Sequence, residues 1–75
     1  MPHIQVKLIE GKSEALKKEL AEELVKTAER VLGNRNEAFS LSIEDFSSDD
    51  WKTKVYPKDI MEHKDILYKE PGYTM

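Results

Sequence analysis

The sequence has no cysteine, so no disulfide can stabilise the fold. It also shows no cluster of metal-ligating residues that would suggest a structural metal. A chain of 75 residues is short, and chains of that order bury only about 60% of the surface that they expose when unfolded. Because oligomerisation is the remaining common way to stabilise so small a chain, we expect an oligomer.

Three further absences limit the partners and the location of this chain. Twelve Lys and Arg are interspersed with fifteen Asp and Glu, and the net charge of −3 provides no basic stripe for nucleic acid. No apolar run approaches the roughly 20 residues that span a membrane. The N-terminus lacks the charged region and apolar stretch of a signal peptide. We therefore expect a cytoplasmic protein without nucleic-acid or membrane partners.

Two periodicities in the first half of the chain predict a strand followed by a helix. Residues 3–8 alternate polar and apolar side chains, as in a strand with one buried face; the apolar ones are Ile4, Val6 and Leu8. Leucine, alanine and valine then recur at helical spacing between Ser13 and Gly33. Because Ser13 is a good N-cap and Gly33 a natural helix stop, we expect one long amphipathic helix between them.

A second alternating segment follows, with Phe39, Leu41 and Ile43 on one face and Ser40, Ser42 and Glu44 on the other. Strand, helix and strand in this order predict a βαβ unit of the α/β (α+β) class, with parallel strands and a right-handed crossover. Two strands and one helix cannot close a core. We therefore expect a homodimer with a four-stranded sheet and two helices on one face.

Residues 47–75 are expected to form a short helical C-terminal extension of a single domain, 1–75, whose βαβ core covers residues 2–46. Ser47 is a suitable cap for a helical turn that carries Trp51. Pro57 suits the first turn of a further helix. Three tyrosines are interpreted as packing residues of this extension: Tyr56, Tyr68 and Tyr73.

Pro2 directly follows Met1 at the start of the first strand. The segment Met-Pro-His-Ile-Gln-Val-Lys, the loop up to Ser13, the long helix and the strand from Phe39 to Asp45 together resemble the 4-oxalocrotonate tautomerase family. The resemblance covers residues 2–51, and the tail 70–75 is similar to that of a longer-chain, dimeric subgroup that includes enterobacterial tautomerases acting on phenylpyruvate. It implies an isomerase that interconverts keto and enol forms of small unsaturated or aromatic 2-keto acids without a cofactor or metal.

The resemblance implies that Pro2 is the catalytic base. A small residue at position 2 permits removal of Met1, which leaves Pro2 with a free secondary amine. This nitrogen belongs to the strand backbone and is held rigidly. Burial and a nearby cation disfavour its charged form and lower its pKa, which brings the base towards the working pH.

The same resemblance identifies four candidate substrate contacts. Lys12 lies where the family often has an arginine that grips a substrate carboxylate, and Trp51 lies where an aromatic residue lines the pocket and can donate its indole N–H. Ser40 replaces an arginine that polarises the substrate carbonyl, and a serine hydroxyl is a weaker, neutral donor. This departure disfavours a dicarboxylate and favours a monocarboxylate 2-keto acid, including an aromatic one that stacks on Trp51 or Phe39.

Each candidate also has a purely structural interpretation. A proline is tolerated at the start of any strand because it lacks an N–H. Lys12 is equally an ordinary loop lysine, Ser40 a solvent-facing strand residue and Trp51 a core or interface residue. His3 lies next to the proline but on the polar face of the strand, which disfavours a proton relay through it.

Three functions therefore stay open at this point. The first is a tautomerase with Pro2 as base, and the second is a hydratase or dehalogenase in which a protonated Pro2 acts as an acid. The third is a small dimeric α/β binding or regulatory module without catalysis. A retained Met1 would block the amine and favour the third.

Overall fold

In the computed structural model, which describes all of residues 1–75, the first element is a strand, β1, over His3–Ile9. Its apolar residues Ile4, Val6 and Leu8 are half-buried, whereas His3 and Gln5 are exposed. This is the alternation that the sequence predicts for a strand with one covered face.

The long helix, α1, spans Glu14–Leu32 and begins and ends where the sequence predicts. Ser13 is its N-cap, and the Ser13 hydroxyl accepts a hydrogen bond of 3.2 Å from the Leu16 N–H. At the other end Gly33 adopts a left-handed conformation with φ of 78°, and its N–H donates to the Glu29 carbonyl over 2.9 Å. Both ends therefore satisfy backbone groups that a helix terminus leaves without an intrahelical partner.

The second strand, β2, spans Ser40–Phe46 and pairs with β1 in a two-stranded parallel sheet. This confirms the predicted βαβ unit. The strand starts one residue later than the alternation suggests, because the Phe39 N–H donates to the Asn36 carbonyl over 3.1 Å and closes a short 3₁₀ turn, Asn36–Ala38. That N–H is therefore unavailable to the strand ladder. A salt bridge of 2.7 Å between Lys17 and Asp45 joins α1 to β2.

The chain divides into two compact units, and the first, Met1–Asp45, covers its apolar surface poorly. None of its residues is fully buried. Large apolar side chains of α1 are exposed to solvent: Leu16 is 56%, Val31 67% and Leu32 59% exposed. The expectation that one helix and two strands cannot close a core agrees with these exposures.

The second unit, Phe46–Met75, contains a continuous helical run over residues 48–66. Ser47 is the N-cap of a short helix, α2 (Ser48–Asp50), and its hydroxyl accepts from the Asp50 N–H over 3.0 Å. The run continues as a π-helical segment, Trp51–Ile60, and a 3₁₀ segment, Met61–Ile66. The prediction that residues 47–75 are an extension of a single domain, 1–75, stays a prediction.

Two predictions in the second unit are wrong. Pro57 does not open a new helix but lies inside the π-helical segment. A proline ring crowds the carbonyl four residues earlier in an α-helix, which favours the wider π turn found here. Tyr68 does not pack, because its side chain is fully exposed, whereas Val55 is buried with 2% exposure. The prediction of packing holds better for Tyr56 and Tyr73, whose ring centroids lie 5.7 Å apart.

No helix of the protein is both long enough and apolar enough to cross a bilayer.

Candidate active site

Pro2 lies immediately before β1 and is half-buried. Its carbonyl oxygen accepts a hydrogen bond of 3.2 Å from the Ser40 N–H at the start of β2. Because the two strands are parallel, their first residues meet at the same end of the sheet. Pro2 is therefore fixed by the sheet itself, while Met1 before it is fully exposed.

The Ser40 side chain has a close partner at this end of the sheet. Its hydroxyl oxygen lies 2.7 Å from Nδ1 of His3, and both residues are exposed. The pair lies on the polar face of the sheet, opposite the half-buried Ile4 and Leu41. The structure thus brings together Pro2, the predicted base, and Ser40, a predicted substrate contact.

Sequence reasoning does not predict that His3 belongs to this cluster. The signal is present in the sequence, because His3 and Ser40 both occupy polar positions of strands predicted to be parallel. What the sequence does not reveal is the register, which decides whether the two side chains lie opposite each other. Here they do.

Lys12 lies in the loop between β1 and α1, at the other end of β1, and is exposed. The seven residues of β1 separate it from Pro2. At about 3.3 Å per residue that is roughly 23 Å. Within one chain the structure therefore does not bring Lys12 to Pro2.

Lys12 lines a shallow surface depression of about 270 Å³ at its own end of β1. Its lining is apolar apart from two lysines and consists of Leu8, Lys12, Leu16, Lys17 and Leu20. Lys17 is held as a cation, since its pKa is raised first by the hydrogen bond to Asp45 and second by the one to Glu14. Because both carboxylates already pair with Lys17, the positive charge that this apolar depression can offer to a ligand comes from Lys12.

The two candidate aromatic contacts lie in different units. Phe39 is half-buried and directly precedes Ser40. Trp51 lies in the second unit, edge-on to Phe46 at a centroid distance of 6.4 Å. Its indole N–H donates to the Tyr73 hydroxyl over 3.3 Å. The indole donor that the sequence assigns to a substrate oxygen therefore already has a partner within the chain.

The acidic and histidine side chains form no cluster of three or more that could hold a metal ion.

Comparison with known proteins identifies the family to which this sequence is similar. The sequence profile of a family described as "Tautomerase enzyme" matches residues 2–57, a stretch that begins at Pro2 and ends at Pro57. It includes Lys12, Phe39, Ser40 and Trp51.

Individual relatives are similar over nearly their whole length. A "Probable tautomerase" of Xylella fastidiosa is 47% identical over 73 residues, which cover 97% of this chain and 89% of the relative. Two proteins named "Tautomerase PptA", from Pectobacterium carotovorum and Pectobacterium atrosepticum, are each 37% identical over 75 residues and 99% of both chains.

Proposed function

Because the chain belongs to the tautomerase family and is therefore an isomerase, we propose that it interconverts keto and enol forms of small 2-keto acids, with the amine of Pro2 as the general base. The reaction needs no cofactor in this proposal, since the base is part of the backbone. The observation that carries it is the position of Pro2 at the start of β1, tied through its carbonyl to Ser40.

That position suits a base because the amine cannot swing away. A side-chain base moves on a flexible stem, whereas this nitrogen belongs to the residue that the Ser40 N–H fixes to the sheet. Restricting a catalytic group in this way lowers the entropy that must be lost on the way to the transition state. The amine requires that Met1 be removed, and the full exposure of Met1 leaves its peptide bond open to an aminopeptidase.

A second copy of the chain would complete the site. The outer edge of each strand lacks a partner strand within the chain. A two-fold axis that joins two such edges makes them antiparallel, so that the start of β1 in one copy lies at the same end of the sheet as the loop after β1 in the other. We place Lys12 of the partner subunit near Pro2 on this ground, and the apolar residues left exposed on α1 favour the same homodimer.

The residues around Pro2 favour a monocarboxylate substrate. Lys12 offers one point charge, and Ser40 offers a neutral hydroxyl, so only one carboxylate can be paired with a full positive charge. Phe39, which directly precedes Ser40 and belongs to the apolar face of the sheet, offers a half-buried ring to the rest of the molecule. An aromatic 2-keto acid such as phenylpyruvate fits this combination.

An ultraviolet assay of enol ketonisation tests the proposal. The substrates are the enol of phenylpyruvate and 2-hydroxymuconate, and mass spectrometry first establishes that Met1 is absent. We expect faster turnover of the monocarboxylate and loss of activity in Pro2→Ala. Wild-type activity in Pro2→Ala on both substrates would overturn the proposal, as would an inactive protein that begins at Pro2.

A further inference from the structure

The structure points to a role for His3 that the proposed function does not include. We propose that His3 is a positioning residue that turns the Ser40 hydroxyl into a directed hydrogen-bond donor for the oxygen of the enolate. This inference rests on the proposed function, because it concerns the same reaction. It adds His3 to the proposed site and gives the Ser40 hydroxyl a specific role as the donor to the enolate oxygen.

The first step is geometric. Nδ1 of His3 and Oγ of Ser40 lie 2.7 Å apart, a short hydrogen bond for two side chains. The Ser40 N–H simultaneously donates to the Pro2 carbonyl over 3.2 Å. One serine therefore contacts the residue that bears the base through its backbone and the imidazole through its side chain.

The second step concerns the direction of the hydrogen bond. If Nδ1 accepts from Ser40, the only proton of the hydroxyl is used and none is left for a substrate. If Nδ1–H donates to Oγ, the hydroxyl proton is free to point at a substrate oxygen, and its donor strength increases because hydrogen bonds in a chain polarise one another. The proposal requires the second arrangement.

The third step is the chemistry at the substrate. The Pro2 amine takes the proton from the carbon next to the carbonyl, the electron pair of that C–H bond forms the C=C bond, and the carbonyl π pair moves to oxygen. The developing negative charge accepts the Ser40 hydroxyl proton as a hydrogen bond. When the enolate collapses, the Pro2 ammonium returns its proton to oxygen or to another carbon. No bond to His3 or Ser40 is made or broken.

The pair can act on this substrate because of its place in the sheet. Side chains alternate along β1, so that the proline ring lies on the face of Ile4 and the imidazole on the opposite face. The amine nitrogen lies in the backbone at the end of the strand, between the two faces. A flat keto acid placed across this end can therefore present its carbon to the amine and its oxygen to the hydroxyl.

A double-mutant cycle tests the coupling. Removing an oxyanion donor costs about 10²–10³ in kcat in sites closed to water, and we expect a smaller loss of about tenfold here because both side chains are exposed. His3→Ala and Ser40→Ala should each lower kcat with little change in KM, and the double variant should be no worse than Ser40→Ala. His3→Asn keeps an N–H donor close to the position of Nδ1 and should recover part of the loss.

The control is His63→Ala, an exposed histidine of the second unit, which should leave kcat unchanged. Additive losses in the double variant, or wild-type kcat in His3→Ala while Pro2→Ala is inactive, would overturn the role of His3 and leave the proposed function intact. An inactive wild type that lacks Met1 would overturn both.

Nitrogen-15 chemical shifts of His3 give a readout that does not depend on activity. We expect a protonated Nδ1 in the free protein. A neutral ring with its proton on Nε2 would make Nδ1 an acceptor and would overturn the proposal whatever the rates.

Discussion

The Ser40 N–H donates to the Pro2 carbonyl over 3.2 Å, so the residue proposed as the base and the first residue of β2 are tied together by the first hydrogen bond of the sheet. Parallel pairing produces this tie, because it brings the beginnings of both strands to one end. It also sends the loop that follows β1, with Lys12, to the other end. The same topology therefore fixes the residue proposed as the base and separates it from Lys12 within one chain.

Lys12 should act mainly in substrate binding. Lys12→Ala should raise KM for carboxylate substrates with little change in kcat, because the carboxylate carries the same charge in the ground and transition states and is bound about equally in both. Steady-state kinetics on phenylpyruvate enol measure both constants, and Lys26→Ala, which removes an exposed lysine of α1, is the matched control. An unchanged KM with a collapsed kcat would instead make Lys12 an electrophilic catalyst.

The left-handed cap at Gly33 should be sensitive to substitution. Gly33→Ala should lower the free energy of unfolding by about 1–2 kcal/mol, since a Cβ is strained at its φ of 78° although no atom blocks it. Urea titration at a fixed protomer concentration measures the change. Gly72→Ala is the control, because this glycine has open space around it and no positive φ; an equal loss in both variants would refute the conformational explanation.

Much of the βαβ unit could be predicted from the sequence because its signals are local. Ser13 and Gly33 cap α1 through contacts within a few residues, and alternation alone identifies β1 and the apolar side of β2. The 3₁₀ turn that delays β2 to Ser40 depends on a single hydrogen bond of Phe39 that no periodicity encodes.

The candidate site could be predicted only in part, because its contacts are not local. The bond between His3 and Ser40 joins residues 37 apart in sequence and depends on strand register. The partner of the Trp51 indole, Tyr73, comes from the C-terminal tail. Neither contact can be derived from spacing along one element. The separation of Lys12 from Pro2, by contrast, follows from strand length once β1 is defined.

The salt bridge of Lys17 should make the free energy of unfolding depend on pH in the alkaline range. The pKa of Lys17 is raised above its ordinary value of 10.5 by Asp45 and Glu14, so folding favours the charged form. The stabilisation is therefore fully present below 10.5 and is lost as pH rises through the higher pKa of the folded state.

The corresponding variant is Lys17→Met. Its urea midpoint should lie below that of the wild type at neutral pH, and the gap should narrow above pH 10.5. Lys18→Met, which removes an exposed neighbour, should show no such narrowing. A gap that stays constant up to strongly alkaline pH would show that packing, and not charge, causes the loss.

The protein should form a homodimer. The polar face of the sheet carries exposed side chains, namely His3, Gln5, Ser42 and Glu44. A hexamer that buried this face would leave polar groups unpaired, at about 1–3 kcal/mol each. Sedimentation equilibrium at micromolar concentration should give the mass of two 8.7 kDa chains. A mass near six chains would contradict this assembly, and a stable monomer would contradict the proposed shared site.

The pH dependence of kcat/KM for enol ketonisation tests the central claim most directly. The protein must first be shown by mass spectrometry to begin at Pro2. We predict an ascending limb, because only the uncharged amine can accept the proton, and we predict that this limb disappears in Pro2→Ala together with most of the activity. The same limb and rate in Pro2→Ala as in the wild type would contradict the assignment of Pro2 as the base.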